Sequence, residues 1–192
     1  MYLFIETQQS GIPKDYKASY KLSDNWPRIT QFSYILADKK ANIIEEASYL
    51  IYPEAKIPKI VSKITRIDNT MLKSYGRTFN KLEEEIKRLF QLSDYVIGFN
   101  INYDISLLKA ELYRNDIDTA FVDSNWDLDL GIKTRDLLKL KTRVNIKYKI
   151  PKLEDIYLKL FGIALPDLNS INKLHKEKEC FFKLKHMNLL GI

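Results

Sequence analysis

The fold is decided by Met1-Tyr-Leu-Phe-Ile-Glu-Thr-Gln-Gln-Ser-Gly-Ile-Pro13, the first stretch of the chain. Residues 2–5 are a continuous apolar run, which predicts a buried strand, and a Gly-x-Pro sequence then begins a loop. Because side chains alternate along a strand, Glu6 and Gln8 are expected on one face and Thr7 on the other. An acid at the end of a central strand suits a metal site, whereas Gln8 brings no charge to a divalent cation.

The pattern of the remaining chain predicts one α/β domain over residues 1–192, with no repeat and no interdomain linker. Three consecutive strands without a helix between them predict an antiparallel meander at the start of a five-stranded mixed sheet, with the first strand central. Later strands alternate with flanking helices. Strands are predicted at residues 2–5, 29–36, 43–52, 94–98 and 126–132, and helices at 78–90, 100–114, 152–161 and 169–185, with Asp68 or Asn69 capping a further short helix.

The composition is that of an ordinary globular domain with a basic surface. The 192 residues are 45% hydrophobic, which is enough to bury a core, and the net charge is +6. This charge is compatible with a polyanionic partner, but a solvated basic surface explains it equally well. Cys180 is the single cysteine, so no intramolecular disulfide forms and a reducing cytosol is expected. No stretch resembles a signal peptide or a membrane span, and the chain is expected to be cytoplasmic.

A second informative stretch is Phe99-Asn-Ile-Asn-Tyr-Asp104, which leads from a predicted buried strand into a predicted helix. The carboxyl ends of strands are where functional sites of α/β sheets gather. Taken alone, Asn100 and Asp104 would be interpreted as residues that cap the helix.

Six motifs run through the chain in one order: Tyr2 to Pro13, Asn25-Trp-Pro-Arg-Ile-Thr-Gln31, Asn100-x-x-Tyr-Asp104, Glu111-Leu-Tyr-Arg114, Lys152-Leu-Glu-Asp-Ile-Tyr157 and Cys180-Phe-Phe-Lys-Leu184. Their order and spacing resemble the DnaQ-like (DEDDh) 3′–5′ exonucleases, a family similar to the proofreading subunit of bacterial replicases. The resemblance extends from residue 1 to about residue 185. It implies an RNase H-like fold, a nucleic-acid substrate, and two divalent cations held by four carboxylates with a histidine as general base.

The resemblance also implies which residues occupy the first two catalytic motifs. The Asp-x-Glu of the family is Glu6-Thr-Gln8 in this chain. The second motif is retained, so that Asp104 is the one unchanged metal ligand. A histidine that usually precedes this motif is replaced by Phe99.

The third motif of the family is a histidine followed five residues later by an aspartate on the last helix. Counting back from the Cys-Phe-Phe sequence places these positions on Leu168 and Lys173. Counting forward from the preceding glycine places them on Asn169 and Leu174. The first register is preferred because it keeps Ile171 and Leu174 on the buried face of the helix. Neither register supplies a carboxylate or an imidazole.

The charge at these positions disfavours a two-metal site. Glu6, Gln8, Asp104 and Lys173 carry a net charge of −1, whereas the complete family site carries four negative charges. Two Mg²⁺ ions would be left with about three uncompensated charges. The Lys173 ammonium would repel a metal ion, or pair with Glu6 or Asp104 in its place. The expected cofactor is therefore none, or Mg²⁺ or Mn²⁺ bound weakly by Glu6 and Asp104.

Residues 133–152 carry eight lysines and arginines and one acid, Asp136. Basic side chains interleaved with an aromatic ring are typical of surfaces that bind a phosphate backbone and stack a base. A solvated surface explains the pattern equally well, and the family resemblance favours nucleic acid. The candidate nucleic-acid-binding residues are Asn100, Lys139, Lys141, Arg143, Lys147 and Tyr148.

Two functions follow, and the charge count favours the first. The chain is predicted to be an inactive or impaired exonuclease-like domain that binds single-stranded DNA or RNA, or a protein partner, with no role in membranes. The alternative is an active metal-dependent 3′–5′ exonuclease with a non-standard site, to which Asp167 or Glu177 would add a ligand. A third hypothesis is that the chain is a purely structural interaction module. The sequence does not distinguish DNA from RNA.

Overall fold

The architecture is built outward from the first strand, β1 (Tyr2–Gln9). The computed structural model describes residues 1–53, 56–141 and 148–192. In this part of the chain one sheet has the order β3-β2-β1-β4-β5. β1 pairs antiparallel with β2 and parallel with β4. The other strands are β2 (Ile29–Ala37), β3 (Ile43–Leu50), β4 (Tyr95–Gly98) and β5 (Trp126–Asp129).

Helices connect the later strands and cover both faces of the sheet. The described α-helices are α1 (Lys59–Thr65), α2 (Asn69–Tyr75), α3 (Glu83–Leu92), α4 (Ile101–Arg114), α5 (Leu130–Leu138), α6 (Leu153–Phe161) and α7 (Ser170–His186). Short 3₁₀ turns occupy Ser23–Asn25, Phe79–Leu82 and Ala120–Ser124. No helix in the described ranges combines the length and the apolar character that crossing a membrane requires.

The alternation of side chains along β1 divides the core into two layers. Leu3 and Ile5 belong to a buried cluster with the apolar faces of α3 and α4. Tyr2 and Phe4 belong to a second cluster with α6 and α7, where the ring of Phe181 packs against both. β1 is therefore covered on both faces, as expected for a central strand that is apolar without interruption.

The predicted fold class is confirmed. The structure contains the antiparallel meander β1-β2-β3, the central position of β1 and the mixed five-stranded sheet flanked by helices. Asp68 caps α2 by accepting a hydrogen bond from the Met71 amide at 2.8 Å, as one of the two predicted caps. Cys180 is fully buried. The extent of one domain over residues 1–192 stays a prediction.

Two helices were missed, and several strand ends differ from the prediction: β1 continues to Gln9 instead of ending at residue 5, and β3 ends at Leu50 instead of residue 52. The last strand was expected to reach Ile132, but it ends at Asp129, whose side chain accepts a hydrogen bond from the Ile132 amide at 2.9 Å and caps α5. Helix α1 follows Pro58 in a segment that was expected to be irregular. Both helices are shorter than three full turns, so they carry too few apolar positions for a helical period to be recognised.

Candidate functional site

A cleft opens where β1 and β4 end and where α4 and α7 begin. Its volume is about 340 Å³. Most of its lining comes from the end of β1, the following loop, the start of α4 and the first turns of α7. The lining residues are Ile5, Glu6, Thr7, Gln8, Gln9, Ile12, Tyr16, Phe99, Asn100, Tyr103, Asp104, Lys173 and Glu177.

Glu6 and Gln8 face helix α7, where a lysine meets them. Lys173 Nζ lies 2.7 Å from Glu6 Oε1. Gln8 Nε2 donates to the same carboxylate oxygen at 3.2 Å, and it lies 3.5 Å from Ser170 Oγ. An ammonium and an amide thus occupy the space beside Glu6, and the ion pair with Glu6 is one of the two pairings considered from the sequence.

Asp104 lies on the other side of β1 and is bound by Thr7. The Thr7 amide donates to Asp104 Oδ1 at 3.0 Å, and the Thr7 hydroxyl donates to the same oxygen. Only 8% of Asp104 is exposed, and this burial raises the pKa of its carboxyl to about 7, although the two hydrogen bonds from Thr7 oppose the rise. The expected alternation of Glu6, Thr7 and Gln8 is therefore present in β1.

Glu177 adds a third carboxyl, one turn further along α7. It is 1% exposed, and its Oε1 atom lies 4.0 Å from Lys173 Nζ. Glu177 Oε2 and Glu6 Oε2 are buried and have no hydrogen-bond partner among the described residues. Burial raises the pKa of Glu177 well above its ordinary value, and it also raises the pKa of Glu6 against the opposing charge of Lys173.

Lys173 is the positive charge that these carboxyls share. Burial alone would lower the pKa of its ammonium, but the charges of Glu6 and Glu177 outweigh this effect and raise it. The lysine is consequently protonated throughout the range in which the protein would function. A permanent cation at the centre of the acidic side chains is the main electrostatic feature of the cleft.

The residues of the cleft do not fit a divalent metal. Within the described ranges, no group of three or more histidines, cysteines, aspartates and glutamates is arranged to hold a metal ion. The Lys173 ammonium already takes a hydrogen-bonding position on Glu6, and Asp104 is oriented by Thr7. A cation entering the cleft would have to displace Lys173 and would be repelled by it.

The two registers considered for the third motif differ in where they place side chains. Leu168 lines an adjacent pocket of about 310 Å³ together with Gln8, whereas Asn169 caps α7 by accepting from the Asn172 amide at 2.9 Å. Lys173 faces the cleft, and Leu174 is fully buried in the core. This arrangement favours the register with Leu168 and Lys173.

Asp167 is held away from the cleft. Its carboxylate pairs with the guanidinium of Arg66, and both side chains are about three-quarters exposed (75% and 77%). Asp167 lines the adjacent pocket beside Leu168 and is not part of the cleft lining. Among the acids considered as substitutes for the missing ligands, Glu177 therefore reaches the cleft and Asp167 does not.

Asn100 joins the cleft to a third pocket. It precedes α4 with a left-handed backbone conformation, φ 56°, and its side chain makes no capping hydrogen bond. The third pocket, about 320 Å³, shares Phe99, Asn100 and Lys173 with the cleft and continues along Ile150 and Lys152. The start of α6 is thereby brought next to the catalytic positions of the family.

The basic segment lies partly within the described residues. Lys139, Lys141 and Tyr148 are exposed, and none of them lines the cleft. The amide of Lys149 donates to the Leu140 carbonyl at 2.8 Å, which brings these two residues of the segment together. Arg143 and Lys147 lie outside the described residues.

Two cleft residues were missed by the sequence reasoning. Tyr16 belongs to the loop after β1, and Tyr103 belongs to the retained second motif, where it was noted only as part of the pattern. An exposed tyrosine in a polar loop gives no periodic signal, so Tyr16 could not be singled out. Glu177 was considered as a substitute ligand. Its spacing of four residues from Lys173 on the predicted helix is visible in the sequence, whereas its burial in the cleft is seen only in the structure.

Asp104 should make the stability of the chain fall as the pH rises. Its pKa is about 7 in the folded chain and 3.8 ordinarily, so between these values the folded state holds one more proton than the unfolded state. Stability then decreases by up to about 1.4 kcal/mol per pH unit. An Asp104→Asn variant lacks this dependence and should gain stability relative to wild type between about pH 4 and about pH 7.

Urea unfolding of both proteins at several pH values measures this difference. Asp136→Asn is the matched control, because it removes an acid that is 76% exposed and lies outside the cleft. A stability difference between wild type and Asp104→Asn that is constant with pH would contradict the raised pKa of Asp104.

Comparison with known proteins gives a sequence relative and several structural ones. No model of a protein family matches the chain. It is 34% identical over 85 residues to the DNA polymerase III subunit epsilon of Treponema pallidum (strain Nichols), an alignment that covers 44% of this chain and 38% of that protein. The chain thus aligns with about two-fifths of the length of this relative.

The solved structures of exonuclease I share the fold over nearly the whole chain. E. coli exonuclease I in complex with a dA16 oligonucleotide has a TM-score of 0.74 at 19% identity, covering 99% of this chain and 42% of that one. Exonuclease I from Methylocaldum szegediense has a TM-score of 0.75 at 17% identity, with the same coverage. The chain has the RNase H-like fold of the DnaQ-like exonucleases and resembles them in sequence, as its motifs predicted.

Proposed function

We propose that this chain is a DnaQ-like exonuclease domain that binds single-stranded nucleic acid without hydrolysing it by a two-metal mechanism. The observation that carries the proposal is the ion pair between Lys173 and Glu6, with 2.7 Å between Nζ and Oε1. These two residues occupy positions that the family resemblance assigns to metal ligands. A cation belonging to the protein itself therefore stands where the family holds a metal.

The electrostatics of the cleft support the loss of metal-dependent hydrolysis. Two-metal catalysis needs carboxylates that offset the mutual repulsion of two dications. Gln8 contributes only a neutral amide, and Lys173 cancels the charge of Glu6. Burial raises the pKa of Asp104 to about 7, so that near neutral pH a fraction of the Asp104 carboxyl groups is protonated and carries no charge. Any Mg²⁺ or Mn²⁺ would bind weakly.

The general base is also missing. Leu168, which takes the family position of the histidine, has no group that accepts a proton. His175 Nε2 lies 2.9 Å from Glu46 Oε2 and is directed to β3, and neither histidine of the chain lines the cleft. Loss of a positioned base typically lowers a rate by about 10²–10⁴-fold.

Binding of nucleic acid is supported by charge and by the relatives. One structurally similar protein, E. coli exonuclease I, was solved in complex with an oligonucleotide. In this chain the third pocket continues from the cleft to Lys152, the last basic residue of the segment 133–152. Lysine and arginine contacts to phosphate need no metal ion and carry no sequence information. Single strands of DNA and RNA are both candidate ligands.

A binding assay in the absence of metal tests the proposal. A labelled oligothymidylate and a labelled oligouridylate should bind at low salt in EDTA, and incubation with Mn²⁺ should leave both at full length. EDTA-sensitive shortening of either strand would overturn the proposal and would establish an active exonuclease with a non-standard site. Undetectable binding at low salt would leave a protein partner as the function of the domain.

A charge-matched pair of variants identifies the binding surface. Replacing Lys139, Lys141, Arg143 and Lys147 with alanine should weaken binding and reduce the dependence of affinity on salt. The control replaces Lys39, Lys40, Lys81 and Lys87, which are exposed and lie outside the cleft, and lowers the net charge equally. Equal losses in the two variants would mean that only the total charge of the protein matters.

A further inference from the structure

We infer that the connection between β1 and β2, residues 10–28, is a preformed wall that binds the single strand through Tyr16, Lys14 and Lys17. This inference rests on the proposed function and adds a contact surface formed by a different segment of the chain from residues 133–152. Tyr16 lines the cleft and is 61% exposed. Lys14 and Lys17 flank it in the sequence, and both are exposed.

The base of this wall is anchored to helix α4 by a buried carboxylate. Glu111 is 1% exposed and accepts from Arg28 Nε at 2.9 Å and from Arg114 Nη1 at 2.7 Å. The guanidinium of Arg114 also donates to the carbonyls of Ser23 and Trp26. One helix thus binds the connection at Ser23, Trp26 and Arg28.

Asn25 connects the anchored residues to the part of the wall that lines the cleft. Its side-chain amide donates to the Asp15 carbonyl at 2.8 Å, and its Oδ1 atom accepts from the Asp15 amide at 2.8 Å. Its backbone carbonyl accepts from the Lys14 amide at 3.2 Å. The residues on both sides of Asp15, which include Tyr16, are therefore positioned by one asparagine.

The wall presents an aromatic ring, that of Tyr16, which packs at a tilt against a group of two further rings. The Tyr16 ring lies 5.8 Å from that of Tyr103, which in turn lies 6.0 Å from the buried ring of Trp26. Tyr103 directly precedes Asp104 on α4, so this group of rings lies beside one of the catalytic positions of the family. Because the Tyr16 ring is already held by its neighbours, an unpaired base can stack on its exposed face with little loss of side-chain entropy.

The chemistry of the wall favours a single strand over a duplex or an acidic peptide. Stacking on Tyr16 requires a base that is not already stacked and paired, and the lysines beside it attract phosphate. The acids of the connection, Asp15 and Asp24, limit its net charge, and the Asp15 carboxylate accepts from the Lys17 amide at 2.8 Å. The aromatic contact is therefore expected to contribute more than charge alone.

Replacement of Tyr16 tests the contact directly. Tyr16→Ala should weaken the binding of a labelled oligothymidylate by about tenfold, measured by fluorescence anisotropy in EDTA. Tyr75→Ala is the matched control, since Tyr75 is 76% exposed on α2 and does not line the cleft, and it should bind as wild type does. Wild-type affinity in Tyr16→Ala would overturn the inference and leave the proposed function intact.

A double-mutant cycle tests the positioning role of Asn25. Asn25→Ala should also weaken binding, and the loss in the Asn25→Ala, Tyr16→Ala double variant should be smaller than the product of the two single losses. Independent losses would overturn the role of Asn25 as a positioning residue. Urea unfolding of each variant verifies that it is folded. If the wild type does not bind the labelled oligothymidylate, both the proposed function and the inference are contradicted.

Discussion

Restoring the family residues at four positions should give the chain a divalent-metal site. The combined Glu6→Asp, Gln8→Glu, Leu168→His, Lys173→Asp variant is expected to bind Mn²⁺, because with Asp104 it carries the four carboxylates that two dications require. At a metal concentration one hundred times the dissociation constant, binding would stabilise the variant by about 2.7 kcal/mol. The melting temperature of the wild type should not respond to Mn²⁺.

Two measurements on the same variant distinguish metal binding from catalysis. Thermal melts with and without Mn²⁺ report the metal site, and shortening of a labelled oligothymidylate reports catalysis. Lys173→Met is the control, since it removes the ammonium and adds no carboxylate, so it should respond to Mn²⁺ weakly. A wild-type chain that is stabilised by Mn²⁺ as strongly as the combined variant would show that the Lys173–Glu6 pair does not exclude metal.

Loss of Glu111 should destabilise the fold more than any other change of a single charge described above. Glu111→Ala leaves the guanidiniums of Arg28 and Arg114, which are 28% and 13% exposed, without their carboxylate. Breaking a buried ion pair by removing one partner costs about 3–5 kcal/mol. The free energy of unfolding in urea should fall by this amount.

Two comparisons make the result specific to the buried charge. Glu111→Gln retains an acceptor for Arg28 and Arg114 and should lose less stability than Glu111→Ala. Glu84→Ala, at an exposed position of α3, should stay within about 0.5 kcal/mol of wild type. A loss in Glu111→Ala no larger than that in Glu84→Ala would mean that the two arginines are adequately solvated on their own.

The fold was largely predictable because its signals are local and strong. The apolar run of β1 and the strands that follow it without a helix predict a meander, and the paired strands have this arrangement. The amphipathic pattern of α3 and the apolar side of α4 are long enough to show a helical period. Helices α1 and α5 were missed because each is short, and α1 has no capping side chain at its N-terminus that would have marked its start.

The candidate site was predictable where a motif marks it and not elsewhere. Glu6, Gln8, Asp104 and Lys173 were selected by resemblance, and the structure brings all four to one cleft. Their roles stay predictions. Lys173 and Glu177 are four residues apart on one predicted helix, so their approach could be read from the sequence, but the position of Glu177 in the cleft depends on how α7 is rotated against the sheet, which no local pattern specifies. Tyr16 is positioned through its neighbour Asp15, whose backbone is hydrogen-bonded to the side chain of Asn25 ten residues further along the loop.

The central position of β1 has a consequence for the order in which the chain acquires its structure. β1 is synthesised first, yet its parallel neighbour is β4, where Tyr2 pairs with Tyr95, so this edge of β1 stays unpaired until β4 has left the ribosome. The face of β1 that carries Phe4 stays exposed for longer, because one of the residues that pack against it is Phe181 of α7. A nascent meander therefore exposes an apolar face and a free strand edge until β4 and α7 have been synthesised, and in this state strands can pair wrongly with other chains.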